Sequence, residues 1–356
     1  MAEEDSKLYH QDKYKELEDF KYYCKSESNF DYKQPFLLVD TSYLIFYRFF
    51  ALRMWYSKAH KEKFAENTTQ DEYDWMADTI FMEKFVKTFF VGLSVIIKKR
   101  KIPMNNLVFS LDCPNWEIWR HSLVKDYKGT RKDSHKKAKF FCYKIFSYAE
   151  EKIIIPFVDQ SKSNQSKSHI IRYPKAEGDD INAILVKHII NINPDANINI
   201  IGTDRDYIQL CNKNIYLIDI KGRNISDDTL DDEICQIKYL IAKILVGDVS
   251  DNIEACYINT TFLVKHKIIS NKPKKEYIKC NKKLVDSLIR ISDTYNIIIN
   301  LFKYNRSNSD NRNQDENNLN SIFENNQFLV NQHLIDFHFI PDNIKDGILK
   351  SFGLNE

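Results

Sequence analysis

The chain has 356 residues, 43% of them hydrophobic, and a formal net charge of only +2. That is enough to bury a full core as one large domain or two smaller ones, and bulk charge alone gives no sign of a nucleic-acid binder. Its 7 cysteines (Cys24, Cys113, Cys142, Cys211, Cys235, Cys256 and Cys280) are odd in number and form no CxxC pair, which argues against a disulfide framework or zinc ribbon and favours a reducing compartment.

The N-terminal segment (residues 1–34) is dense in charge, reads as a helical lead-in and does not fit a signal peptide. No apolar run reaches bilayer length, so a soluble intracellular protein with no membrane partner is expected. Pro35 opens PFLLVD, a buried strand ending in Asp40, and the aromatic stretch SYLIFYRFFALRMWY continues as a helix. Residues 57–74 are polar and read as a loop. From Trp75 to Lys101, Met76, Ile80, Phe81, Phe85, Phe89, Leu93 and Ile96 recur at helical spacing. NLVFSLD is a second strand, ending in Asp112 before the stop signal Pro114.

Residues 115–150 are basic and aromatic, helical with a break near Gly129. KIIIPF reads as a third strand, and DQSKSNQSKSH as a polar loop. Glu177–Ile190 is a helix with Ile181, Ile184, Leu185 and Ile189 on one face; INIIG and IYLIDI are the fourth and fifth strands. A helix from Glu233 to about Val246 leads into GDVSDN. Alternating strands and helices predict an α/β fold with a mainly parallel sheet over 35–253. Residues 254–356 read as a helical C-terminal region with an Asn-rich insert at about 303–328.

Five segments carry carboxylates, most of them at or just past the end of an apolar run: Asp40, Asp112, Glu177/Asp179/Asp180, Asp204/Asp206 and Asp248/Asp251. Ends of parallel strands meet at one sheet edge. Crowded carboxylates repel, and hard oxygen-seeking cations such as Mg²⁺ or Mn²⁺ relieve the repulsion. Singly, each acid has an ordinary explanation: Asp40 before Thr41-Ser42 suits a helix N-cap, the triplet favours a helix dipole, and GDVSDN suits a turn. Their conjunction is what those explanations leave over. Between Arg120 and Lys144 lie nine Lys/Arg against two Asp, so a cationic surface beside an anionic pit is expected, a solvated face being the ordinary alternative.

In this order AEGDD, GTDRD and GDVSDN, preceded by LLVDTS and FSLDCP, resemble the metal-binding motifs of the 5′ nuclease superfamily: flap endonucleases, phage 5′–3′ exonucleases and the 5′ nuclease domain of bacterial DNA polymerase I. WRHSLVKDYKGTR resembles that family's basic arch entrance. The resemblance implies a PIN-like, resolvase-like domain holding two divalent cations. Asp40, Asp112, Glu177, Asp179 and Asp180 would form one metal group, and Asp204, Asp206, Asp248 and Asp251 the other. It implies catalytic roles for Lys128 and Arg131 at the scissile phosphate and for Arg120 at the arch base. It also implies nucleic-acid contacts by Lys125, Lys132, Lys136, Lys137 and Lys139. The implied partner is DNA with a single-stranded 5′ end or flap, with RNA or a hybrid left open; Tyr43 receives no role. Trp116, Trp119 and Tyr127 either stack on an unpaired 5′ end or pack in the core.

One departure stands out. The family string matching GDVSDNI runs into a glycine-rich hairpin that grips duplex DNA, whereas here EACYINTTFLVKHKII contains no glycine. Lysines near Lys272, Lys274, Lys275 and Lys279 are left to supply duplex affinity by charge. Two alternatives stay open: a degenerate nuclease fold kept for binding, and an Asp-nucleophile phosphotransferase. The latter wants a general acid where Ser42 stands and has no use for AEGDD.

Overall fold

The computed structural model describes residues 29–64, 70, 73–129, 143–160, 167–226, 233–271, 273–307 and 322–354. Five strands form one parallel sheet: β1 (Phe36–Asp40), β2 (Leu107–Leu111), β3 (His169–Arg172), β4 (Ile198–Ile201) and β5 (Ile215–Ile218), in the spatial order β3-β2-β1-β4-β5. Their apolar runs suit strands buried on both faces. The alternation of side chains divides them between two cores.

Leu37 and Val39 pack with α1 (Thr41–Ala59), α2 (Thr79–Thr88), α3 (Val91–Arg100), α4 (Tyr143–Ala149) and α5 (Ile155–Gln160). Phe36 and Leu38 pack on the other side, against α6 (Gly178–Ile192). A third core joins α7 (Glu233–Val246) to the C-terminal region. That region holds α8 (Thr260–Lys265), α9 (Lys282–Arg290), α10 (Ser292–Ser307), α11 (Gln327–Ile335) and α12 (Asp342–Ser351). α12 returns to α6, with Ile344, Ile348 and Phe352 buried in the α6-side core.

The predicted α/β class and mainly parallel sheet are correct; several elements differ. KIIIPF is helical: Glu150–Ile154 makes a π-helical turn that runs into α5, and Ile153, Ile154 and Val158 are buried on the α1 side. The third strand is β3, four residues on the sheet edge following the expected polar loop. The long helix expected over 75–101 is two, broken at Phe89-Phe90, with Asp78 capping α2 through Phe81 N. α1 extends to Ala59, past the expected loop boundary. The helical region after residue 254 contains an antiparallel pair, β6 (Tyr257–Asn259) and β7 (Tyr277–Lys279). Arg131, Lys132, Lys136, Lys137, Lys139 and Lys272 lie outside the described residues, as does 308–321 of the Asn-rich insert.

Candidate metal centre

Register places the strand ends level: Asp40 opposes Ser110, and Val39 opposes Ile201. Asp40, Asp112 and Asp204 therefore emerge along one edge of the sheet, as chain order predicts for a doubly wound fold. Asp40 is an N-cap, its Oδ1 accepting from Tyr43 N at 2.9 Å, while Tyr207 Oη approaches Oδ2 at 3.4 Å. Asp112 accepts from Ser42 Oγ at 2.5 Å and from Gly178 N at 2.7 Å. Glycine at 178 suits this approach: a Cβ there would stand a tight 3.2 Å from both Asp112 Oδ1 and Ser110 O. Arg172, at the end of β3, donates from Nε to Asp112 O at 2.8 Å and pairs with Glu150 at 2.6 Å, fixing the backbone behind the acid.

The α6 N-terminus supplies the triplet. One ligand atom each from Glu177, Asp179 and Asp180 lies within 4.8 Å of the others. Asp180 is fully buried and accepts from Arg120 Nη1 (3.0 Å), Arg120 Nη2 (2.8 Å), Trp119 Nε1 (3.0 Å) and Glu177 N (3.0 Å). Glu177 accepts from Arg120 at 2.9 Å, from Tyr127 Oη at 3.2 Å and from Lys128. Asp179 forms no ion pair among the described residues.

The titration directions follow. Burial would raise Glu177, but Lys128 and Arg120 hold it down to about 2. Burial and then the charges of Glu177 and Asp180 push Asp179 well above the carboxylate range. Burial and then Asp112 raise Asp40 to about 7. Carboxylates are thus crowded at this edge, and burial with the neighbouring acids makes Asp179 and Asp40 the ones that hold their protons to higher pH.

The other acids lie nearby, but among the described residues they do not bring three ligand atoms within 4.8 Å of one another as the triplet does. Asp204 caps the turn after β4, accepting from Asp206 N at 2.9 Å. Asp206 pairs with Lys243 of α7, which also lies 3.1 Å from Asp248 Oδ2. Asp248 accepts from Ser250 N at 2.8 Å and Ser250 Oγ at 2.6 Å. Gly247, at φ +73°, makes this turn; a Cβ would meet Ile253 O at 2.5 Å.

The segment 126–128 is tied to acids of both sets. Lys128 N donates to Asp251 O at 2.8 Å, Asn252 Nδ2 to Asp126 O at 2.9 Å, and Tyr127 Oη to Asp251 Oδ2 at 3.2 Å. Lys128 adopts φ +55°, uncommon for a non-glycine residue, and its ammonium lies on Glu177 and 4.0 Å from Asp251. Arg120, expected to act at the substrate, is 2% exposed, and its guanidinium serves Glu177, Asp180 and Leu334 O. Trp119 and Tyr127 are buried, while Trp116 and Lys125 are exposed.

Sequence reasoning missed Lys243, Arg172, Ser42 and Asn252. Asn252 carried a signal, since Asn is favoured in the left-handed turn it makes at φ +58°. A family model described as 5′-3′ exonuclease, N-terminal resolvase-like domain, matches residues 35–239.

The chain belongs to the 5′-3′ exonuclease family.

Its matched region takes in β1–β5, α6 and the acids up to Asp206, and stops short of Gly247. Solved structures similar to this exonuclease-family chain come from bacteriophage T5. A T5 protein co-crystallised with metal ions gives a TM-score of 0.46 at 12% identity, over 91% of this chain and 100% of that one. T5 5′-exonuclease with bound zinc gives 0.43 at 11%, over 90% and 98%. A T5 flap endonuclease variant in a pseudo-enzyme-product complex with DNA and metal ions gives 0.43 at 12%, over 90% and 98%. A comparison with curated proteins finds no match.

Proposed function

We propose that this chain is a divalent-metal-dependent 5′ nuclease that hydrolyses phosphodiesters of DNA carrying a single-stranded 5′ end or flap. One observation carries the reading: Glu177, Asp179 and Asp180 bring ligand oxygens within 4.8 Å of one another at the α6 N-terminus, where Asp112 accepts from Gly178 N and Lys128 stands on Glu177 and 4.0 Å from Asp251. The donors are all carboxylate oxygens, which fit hard cations such as Mg²⁺ or Mn²⁺.

Asp40, Asp112, Glu177, Asp179 and Asp180 would hold one cation and Asp204, Asp206, Asp248 and Asp251 a second. Divalent cations bound there supply a nucleophile at neutral pH and offset charge on the departing oxygen. Within the first group Asp179 would be the principal ligand, because Asp180 is already saturated with hydrogen bonds. Lys128, a short way from both groups, turns to the phosphate as negative charge develops there, with Arg131. Arg120 positions Glu177 and Asp180. Lys125, Lys132, Lys136, Lys137 and Lys139 track the backbone of the single strand.

In this reading 35–253 is the catalytic unit, followed by the C-terminal region. A DNA substrate places the chain in a compartment that contains nucleic acid, and the buried free thiols of Cys113, Cys211, Cys256 and Cys280 suit a reducing one. No described helix is long and apolar enough to cross a membrane. The test is a panel of labelled single-stranded, 5′-flap and blunt duplex DNAs with Mg²⁺, Mn²⁺ or EDTA. Metal-dependent release of short 5′ products from the first two substrates is expected; cleavage that persists in excess EDTA sinks the proposal.

A further inference from the structure

Lys243 sits where the second carboxylate group should be most negative. It projects from α7, and its ammonium contacts Asp206 and lies 3.1 Å from Asp248 Oδ2. The side chains of Lys243, Asp206 and Asp248 are 14%, 12% and 21% exposed, so little solvent screens the three. One cation bridging two carboxylates from different segments is the arrangement a divalent ion would adopt on the same oxygens. The first group has its own ammonium, Lys128, on Glu177 and 4.0 Å from Asp251.

From this bridge we infer that Lys243 is a built-in counter-cation that occupies the Asp206/Asp248 pair in the metal-free protein and competes with the second divalent cation for it. The inference rests on the metal-dependent reading above. Lysine suits the role because its ammonium is a point charge on a flexible four-carbon stem that can withdraw, unlike a fork fixed by two bonds. One consequence follows. The second cation binds more weakly than the number of its carboxylates would suggest, since each binding event must also displace an ammonium. The coupling is reciprocal, so the bound second cation frees Lys243.

The opposite role is also physically sensible: an ammonium that stays in place and orients both carboxylates for the metal. The two roles predict opposite signs. The experiment titrates the full-length protein with Mn²⁺ and counts free Mn²⁺ by electron paramagnetic resonance, in the parent, Lys243→Met and Lys243→Arg. Lys243→Gln replaces the Met variant should the latter fail to fold. The expected result is two binding steps in the parent. The second should tighten tenfold or more in Lys243→Met, because a full unit of positive charge leaves a poorly screened site. The first step should be unchanged, and Lys243→Arg should keep the weak second step. A second step unchanged or weakened in Lys243→Met overturns the inference while leaving the metal-dependent reading intact. So does equal tightening in Met and Arg variants, since charge would not then be the cause. Absence of any Mn²⁺ binding to the parent removes the metal-dependent reading itself, and the role of Lys243 with it.

Discussion

Replacing Arg120 by Met keeps the unbranched apolar stem of the side chain and removes the guanidinium and its charge. The guanidinium donates four hydrogen bonds, to Leu334 O (2.8 Å), Glu177 Oε2 (2.9 Å), Asp180 Oδ2 (3.0 Å) and Asp180 Oδ1 (2.8 Å). The side chains of Arg120, Glu177 and Asp180 are 3%, 5% and 0% exposed, so no water replaces those bonds. Breaking a buried pair from one side costs roughly 3–5 kcal/mol, because a carboxylate is left uncompensated. Lys128 still covers Glu177, which places the expected loss near the lower bound, about 3 kcal/mol. Against a total stability of roughly 5–15 kcal/mol that is a large fraction.

The assay is urea unfolding of Arg120→Met and the parent, in EDTA and in saturating Mg²⁺. A cation that binds only the native state stabilises either protein, by about 2.7 kcal/mol at a hundred times its dissociation constant. The gain should be larger in Arg120→Met, whose carboxylates have lost a competing charge, so that metal closes part of the gap. A variant within roughly 0.5 kcal/mol of the parent in EDTA, the range typical of surface substitutions, would refute the buried-pair argument. Identical metal gains in both proteins would show that the cation does not touch these carboxylates.

Further outcomes are expected. Asp179→Asn should leave the metal-free protein as stable or more so, since it removes a repelling charge, while weakening the first Mn²⁺ by about tenfold or more in the same titration. Gly247→Ala should destabilise by more than about 1 kcal/mol in urea, because φ +73° and a Cβ 2.5 Å from Ile253 O leave no room to relax. His169 is buried between Phe30 and Phe352, and burial lowers its pKa to about 4. Its neutral form is therefore favoured on folding, and stability present above pH 6.5 should fall by roughly 3 kcal/mol as pH drops toward 4; His169→Phe should flatten that part of the stability–pH curve. Finally, the segment after Ile253 forms β6, α8 and β7 with Lys274, Lys275 and Lys279 exposed. Affinity for duplex DNA should therefore fall steeply with salt and show no preference for K⁺ over Na⁺.

The strands that carry acids were legible in the sequence because each is a short, mostly apolar run, interrupted only by Ser110 in β2 and Asn199 in β4, closed by Asp or Gly. β3 was not, because four residues beginning with His and ending with Arg on a sheet edge give no such run. KIIIPF misled for the complementary reason. Three consecutive isoleucines favour a strand locally, yet Ile153 and Ile154 find burial in the α1-side core as part of a helix. The glycine-free stretch after Ile253 was legible as a departure, but not as a β pair, since its strands are three residues each. The acids could be named from sequence because several clustered together exceed what caps and turns require. Their pairing could not. That Asp180 is saturated by Arg120 and Trp119, that Asp179 has no ion pair among the described residues and that Lys243 bridges Asp206 and Asp248 depend on long-range packing. Lys243 in particular looks in sequence like any solvated helix lysine.

The most direct test of the central claim is single-turnover cleavage of a 5′-flap DNA at saturating protein, comparing the parent with Asp179→Asn in Mg²⁺. The account predicts rapid cleavage by the parent, none in EDTA, and a fall of about a thousandfold or more in Asp179→Asn with flap binding retained, because the acid acts through metal-generated chemistry rather than substrate affinity. Cleavage by Asp179→Asn at the parent's rate would contradict it.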